Sequence, residues 1–234
     1  QWFKKGVEIL ETELKEQSLS DGGHFELSPM YHRIILEDLL DLINLFQVFY
    51  PQSDMEILQQ LITSSERMFN WMDIMSHPDG EVAFFNDSAM AIAAPKVSLK
   101  AYAELLNLKN VTIKRKPYLL LKESGFFRWE EGEAVLIGDV GNVGPDYLPG
   151  HGHADTLSFE FSIGNSRVLV NSGTSLYEES SERLRQRGTS AHNTLEIDGE
   201  NSSEIWKSFR IARRAKPFNL SIKKNSDKWI ELAC

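Results

Sequence analysis

The sequence predicts an α+β chain of two domains: a helical portion over residues 1–110, part of an (α/α) toroid or bundle, then an antiparallel β-sandwich over residues 111–234. Three observations predict it. Apolar residues recur at helical spacing through the first half. The second half breaks into short alternating segments separated by Gly, Asn, Asp or Ser. Within the helical half, "DGGHFELSPMY" from Asp21 is echoed by "DGEVAFFNDSAMA" from Asp79, each a turn and an extended piece leading towards a helix.

The first helix spans Trp2 to Leu19 through Phe3, Val7, Leu10 and Leu14. The second spans Met30 to Phe49 through Tyr31, Ile34, Ile35, Leu39, Leu42, Ile43 and Phe46, and Pro51 stops it. A third covers Asp54 to Met75, with Ser53 or Asp54 as N-cap, and a fourth covers about Ala89 to Leu106. The domain boundary is expected near residues 108–117. Beyond it "YLLLKE", "FFRWEE", "EAVLIGDV", "TLSFEFSIGNSRVLVNSG", "HNTLEID", "FRIARRA" and "FNLSIKKNSDKWIEL" read as strands, with a tight hairpin at Gly164-Asn165.

Composition excludes several classes. With 41% hydrophobic residues, 13 Phe and 5 Trp, the chain can fill substantial cores. A formal charge of −9 and the lack of a long basic run argue against a nucleic-acid partner. The only basic cluster, "RIARRAKP", reads as a solvated strand face that an acidic ligand could still use. One cysteine, Cys234, excludes an internal disulfide and a cysteine-based zinc site. No apolar stretch approaches the ~20 residues of a membrane helix, and "QWFKKGVEIL" lacks a signal-peptide pattern. The chain opens inside a helical pattern without an initiator Met, so a fragment of a longer protein is expected.

Chemistry concentrates in "GHGHADTLSFEF" from Gly150 and "SAHNTLEID" from Ser190. His151 and His153 are two apart, so in an extended segment both face one side, joined by Asp155. A partner strand carrying His192 would gather three imidazoles, a set that suits zinc. The plainer reading makes Gly150 and Gly152 marks of a flexible polar loop. A cupin site is set aside, because its carboxylate should follow the pair sooner than Glu160 does.

"DGGHFELSPMYHRIILEDLLDL", "GHGHADTLSFEFSIGNSRVLVNSGTSLYE" and "QRGTSAHNTLEIDGENSSEIWKSFRIARRAKP" together resemble the heparinase II/III-like polysaccharide lyases, in order and spacing, across most of the chain. The resemblance implies an (α/α) toroid followed by an antiparallel β-sandwich. It also implies β-elimination: removal of the C5 proton of a uronic acid, with cleavage at C4 to leave a 4,5-unsaturated sugar. The site must stabilise charge on the uronate carboxylate and place a base and an acid within hydrogen-bond reach.

Residue by residue, the resemblance makes Tyr31 the group that protonates the leaving oxygen and in some members takes the C5 proton. It makes His151 the base or a partner of the substrate carboxylate. His153 and His192 match ligands of a structural zinc, whose remaining ligand, commonly Asp, falls on Asn171 here; Asp155 is the alternative. Tyr31 also falls on the apolar face of its helix and would serve as a core aromatic. His32 and Glu26 are expected to orient Tyr31 or face solvent. Asn86, Asp87, Tyr177 and Arg187 are further substrate-binding candidates, Arg187 through a uronate carboxylate; Asn86-Asp87-Ser88 would equally cap the fourth helix. The family's carboxylate-neutralising asparagine would lie before Gln1. The resemblance implies an acidic polysaccharide substrate and a bacterial, periplasmic or exported enzyme. The alternative is a carbohydrate-binding or scaffold protein of the same fold without turnover.

Overall fold

Helix α1 (Trp2–Gln17) lays Val7, Leu10 and Leu14 against a core formed by α2 (Pro29–Phe49) and α3 (Glu56–Ile74). Leu36, Leu40, Ile43, Ile57 and Leu61 fill that core, and α4 (Lys96–Leu105) closes it with Leu99 and Ala103. The computed structural model describes residues 1–50, 56–108, 117–224 and 230–233. Pro51, Ser53 and Asp54, and nearly all of the predicted domain boundary, lie outside the described residues.

Helix α4 begins later than its periodicity predicts. Ala91 is held at φ +61° and Pro95 stands as N-cap, and the residue before a proline is pushed out of the α region. Asn86-Asp87-Ser88 therefore does not cap α4; Ser88 Oγ instead accepts from Met30 N in the first turn of α2.

The two echoing loops are structural equivalents. Each makes one isolated antiparallel bridge, Ser18 with His24 and Ser76 with Val82. Each turns on a glycine with positive φ, Gly22 at +92° and Gly80 at +88°, which a side chain would strain. At Gly22 an added Cβ would also lie 2.2 Å from the Arg67 carbonyl oxygen. In each the leading aspartate accepts from the backbone N–H two residues on, Asp21 from Gly23 and Asp79 from Glu81. The carboxylates then dock the β half: Asp21 accepts from Glu123 N, Ser124 N and Ser124 Oγ, while Asp79 pairs with Arg167.

The second half is an antiparallel meander of five strands in sequence order: β1 (Tyr118–Leu121), β2 (Phe126–Glu131), β3 (Ala134–Asp139), β4 (Phe159–Ile163) and β5 (Ser166–Leu169). Ile163 pairs with Ser166 across Gly164-Asn165, the hairpin the sequence predicts, with Gly164 at φ +53°. Leu121, Phe126, Val135 and Ile137 of the sheet share a core with Trp71, Met75 and Phe85 of the helical half. After β5 come α5 (Ser181–Arg187), a 3-10 turn at Thr189–Ala191, and two ribbons, β6 (Ile205–Trp206) with β7 (Arg210–Ile211) and β8 (Ser221–Lys224) with β9 (Ile230–Ala233).

"HNTLEID" is not the expected strand. Side chains replace a ladder there: Asn193 N donates to Asn171 Oδ1, Asn193 Nδ2 to the Phe159 carbonyl and Thr194 Oγ1 to the Thr156 carbonyl. Polar contacts also cross between the halves. Trp71 Nε1 donates to Ser124 Oγ at 2.9 Å, Arg128 donates to the Ile74 and Ser76 carbonyls at 2.7 Å, and buried His77 bridges Ser162 and Glu160. No helix among the described residues is long and apolar enough to cross a membrane.

Candidate active site

Tyr31 enters the site because "SPMY" is a helix start: Ser28 is the N-cap, Pro29 takes the first turn, and Ser28 Oγ accepts from Tyr31 N at 3.2 Å. The Ser28 hydroxyl donates onward to the Asp87 carbonyl at 2.7 Å, tying the start of α2 to the second repeat loop. Tyr31 stacks on His151, ring centroids 4.2 Å apart, and its hydroxyl lies 3.0 Å from the hydroxyl of Tyr177. Phe209 completes the wall, stacked on Tyr177 at 5.5 Å and edge-on to His151 at 6.2 Å.

Asp87 is the hub. Its carboxylate accepts from His151 Nδ1 at 2.9 Å, His153 Nε2 at 2.8 Å and both Nη atoms of Arg183, and both Asp87 and Arg183 are buried. Burial alone would raise its pKa, but the hydrogen bonds from His151, His153 and Arg183 outweigh burial and hold the carboxyl far below its usual range. With Nδ1 committed to Asp87, Nε2 is the ring nitrogen left to carry a lone pair. His151 is partly exposed, and its Nε2 lies 3.9 Å from Glu26 Oε1. Burial raises Glu26 above the usual carboxylate range, the His151 charge opposing. Tyr177 is pushed above its ordinary value by burial, by its bond to Tyr31 and by the Asp87 charge, so it remains a phenol able to donate to the Tyr31 oxygen.

Several expected ligands of substrate are instead part of the frame. His32 is fully buried: Nδ1 accepts from His24 N at 3.2 Å, Nε2 faces the Met68 carbonyl at 2.9 Å and the ring packs on Trp71. Burial lowers it to about 3, so it is neutral and beyond the reach of a sugar. Arg187 is also fully buried, and its guanidinium donates to the carbonyls of Gly152, Lys207 and Arg210 rather than to a uronate. That clamp fixes the histidine segment, where a Cβ on Gly152 would meet Val143 Cγ1 at 2.7 Å, so Gly152 marks a close approach and not a loose loop. Asn86 spends its amide on the Leu27 carbonyl and on His153 N, and Asp87 faces the protein, not the cleft. Of these candidates Tyr177 alone stands half-buried beside Tyr31 and His151.

His151 and His153 do not sit in a strand, yet both reach Asp87, one on each oxygen. His153 Nδ1 faces His192 Nε2 at 3.3 Å, close to the separation of two nitrogens that share a tetrahedral zinc at roughly 2.0–2.1 Å from each. His192 Nδ1 is buried without a hydrogen-bond partner, and burial lowers the ring to about 4, leaving it neutral. Those two nitrogens fit a zinc. Asn171 offers only a neutral amide oxygen, which accepts from Asn193 N at 2.9 Å, and Asp155 lies against Asn86 N. Among the described residues no three His, Cys, Asp or Glu side chains surround one point.

Arg183 and Phe209 are the functional residues that sequence reasoning misses. Arg183 precedes Arg187 by one helical turn on α5, so helical spacing places the two arginines on the same face. The Arg183 guanidinium carbon lies 5.2 Å from the Tyr177 ring centre and 5.5 Å from that of Phe209, joining the hub to the aromatic wall.

Comparison with known proteins supplies the context. The heparinase II/III N-terminus family model matches residues 1–111, and the heparinase II/III-like C-terminal model matches residues 113–233. A heparin-sulfate lyase of Bacteroides stercoris is 27% identical over 221 residues, covering 86% of this chain and 32% of that protein. The heparin-sulfate lyase of Pedobacter heparinus is 28% identical over 226 residues, with the same coverage. A crystal structure of heparinase III superposes with a TM-score of 0.70 at 20% identity, over 97% of this chain and 38% of that one. Heparan sulfate lyase HepC from Pedobacter heparinus gives 0.67 at 21%, over 88% and 36%. The chain spans about a third of the length of the curated relatives it matches.

Proposed function

The chain belongs to the heparinase II/III-like family, and from that premise we propose that it carries the acid–base centre of a polysaccharide lyase acting on a uronic-acid-containing chain. The observation that carries the proposal is the junction of Tyr31, from the helical half, with His151, from the β half, over the buried Asp87–Arg183 pair.

The neutral Nε2 of His151 takes the C5 proton. The electrons of that C–H bond form the C4–C5 double bond, and the C4–O bond breaks. Tyr31 Oη gives its proton to the departing oxygen, and the Tyr177 phenol donates to the oxyanion left on Tyr31. Asp87 stabilises the imidazolium formed on His151. Glu26, whose pKa burial raises above its ordinary value, stands beside Nε2 where the uronate carboxylate would approach.

A zinc is proposed as a structural element, held by His153, His192 and the Asn171 amide. Bound there, it would supply positive charge that locks the histidine segment. The heparin-sulfate lyases similar in sequence suggest a heparan-type substrate for the longer protein, and the family favours a periplasmic or exported setting.

The test is incubation with heparan-type chains and measurement of far-ultraviolet absorbance from 4,5-unsaturated uronate. Product that disappears in Tyr31→Phe supports the lyase. Binding without absorbance, in the full-length protein as well, would replace it with the carbohydrate-binding reading.

A further inference from the structure

A cleft of about 490 Å³ adjoins the histidine segment. It falls within the roughly 300–1,000 Å³ of ordinary ligand pockets. One wall is Tyr147 to Gly150, and the other is the β6–β7 turn with Lys207, Phe209 and Arg210. Phe209 is shared: it faces this cleft and also flanks His151 and Tyr177. Anything filling the cleft therefore touches the ring that flanks His151 and Tyr177.

The turn is built to hold its shape. Trp206 pairs with Arg210 across it, and Lys207 sits at φ +54°, a conformation costly for a residue with a side chain. Two buried arginines hold its backbone: Arg183 donates to the Ser208 carbonyl, and Arg187 donates to those of Lys207 and Arg210. The facing loop is pinned by Arg214, which donates to the Pro145 and Asp146 carbonyls. Lys207 and Arg210 extend their charges from this rigid frame into solvent. The one carboxylate lining the cleft, Glu179, makes only an exposed contact with Lys207 at 3.5 Å, the kind of pair that contributes little.

Resting on the lyase reading, we infer that the cleft between Tyr147–Gly150 and the Lys207–Arg210 turn is a subsite for a neighbouring anionic sugar. Lys207 and Arg210 bind its sulfate or carboxylate, and Phe209 packs against its ring. Arg210, the first residue of the basic cluster of the sequence, thus acquires a ligand of defined chemistry, while Arg214 of the same cluster holds the facing loop.

The test is calorimetric titration of the intact chain carrying Tyr31→Phe, so that ligand is not consumed. Two tetrasaccharides of one uronate backbone serve as probes, one N-sulfated and one N-acetylated. Lys207→Ala with Arg210→Ala should weaken binding about tenfold or more, the scale of losing charged hydrogen bonds. Loss confined to the sulfated probe identifies sulfate as the anion read, and equal loss for both identifies the carboxylate. Unchanged affinity for both overturns the subsite. Should the alanine pair lower the unfolding midpoint, Lys207→Gln with Arg210→Gln keeps the stems and asks the same question. With the Tyr31 chain restored, product formed at unchanged KM by the double variant would sink the subsite and leave the lyase standing. Binding without product by the parent would do the reverse.

Discussion

Replacing Asp87 by Asn exchanges one carboxylate oxygen for an NH2 and removes one charge, at a point where every neighbour is a donor. The carboxylate accepts from His151, His153 and, through two bonds, Arg183. An amide can accept on one side only, so its NH2 must face at least one N–H. The partners able to yield are the two histidines; where His151 yields, by moving its proton from Nδ1 to Nε2, the lone pair assigned to the base is lost. Arg183 cannot yield and is left buried without its counter-charge. Breaking a fully buried pair of this kind costs about 3–5 kcal/mol. For a chain of this size that lowers Tm by roughly 6–20 °C. A misassigned tautomer in an Asp–His pair lowers kcat by up to about 10⁴. The assay is thermal unfolding together with initial rates of unsaturated product. Adding Arg183→Met removes the stranded charge and should recover much of the stability while leaving activity lost. If Asp87→Asn unfolds within a degree or two of the parent, or keeps kcat within threefold, Asp87 does not organise this site.

Tyr31→Phe should lower kcat by about 10²–10⁴, the range for losing a general acid, with little change in unfolding midpoint because only its bond to Tyr177 is lost; a variant with parental kcat would remove Tyr31 from the chemistry. Asp139 is raised well above the ordinary carboxylate value by burial and by neighbouring Asp155, so its contribution is fully present below about pH 4 and is lost as pH rises towards the folded value. Asp139→Asn, whose amide oxygen can still accept from Gly141 N, should therefore raise denaturant midpoints at pH 7 and change little at pH 3; the opposite pH order would contradict the assignment. Asn171→Asp should increase zinc retained after dialysis, read by elemental analysis per chain, by supplying the negative oxygen that the His153–His192 pair lacks; equal metal in parent and variant would exclude residue 171 as a ligand. Arg187→Lys should destabilise by about 2–4 kcal/mol in urea unfolding, because an ammonium cannot reproduce the guanidinium's bonds to three carbonyls; a loss below about 0.5 kcal/mol would show that the clamp is dispensable.

The two halves are legible in the sequence because burial imposes a period: Leu36, Leu40 and Ile43 repeat on one helix face, and Val135 and Ile137 repeat on one sheet face. The echo of Asp21 in Asp79 is legible for a similar reason, since each loop needs an aspartate and a glycine to make the same turn. The start of α4 is not, because helical spacing runs on through Ala91 to Ala94 while Pro95 and the positive φ of Ala91 forbid the helix there. Residue type identifies Tyr31, His151, His153 and His192 as chemically capable groups, but not which way each faces. His32 follows Tyr31 directly, yet the next position on a helix points about 100° away, into the core against Trp71. Asp87 reads equally well as a helix cap, a substrate contact or a hub, and only the arrival of Arg183 from almost a hundred residues on decides among them.

The misreading of Arg187 has a general cause in how this chain supports irregular backbone. Outside helices and sheets a buried carbonyl has no ladder to join and still needs a donor. A guanidinium carries five N–H groups in a planar fork, so one buried arginine can satisfy several carbonyls from loops distant in sequence. Arg128 does so for Ile74 and Ser76, and Arg187 for Gly152, Lys207 and Arg210, while Arg33 and Arg183 each hold one carbonyl, of Gly80 and Ser208. Sequence pattern reads such arginines as anion ligands because both uses require the same fork. Burial separates them: an arginine whose donors all end on protein oxygens holds a loop, and one that reaches solvent beside a cleft can meet a substrate. By that criterion Arg183 and Arg187 fix the positions of His151 and of the β6–β7 turn, and Arg210 on the same turn, exposed beside the cleft, is of the second kind.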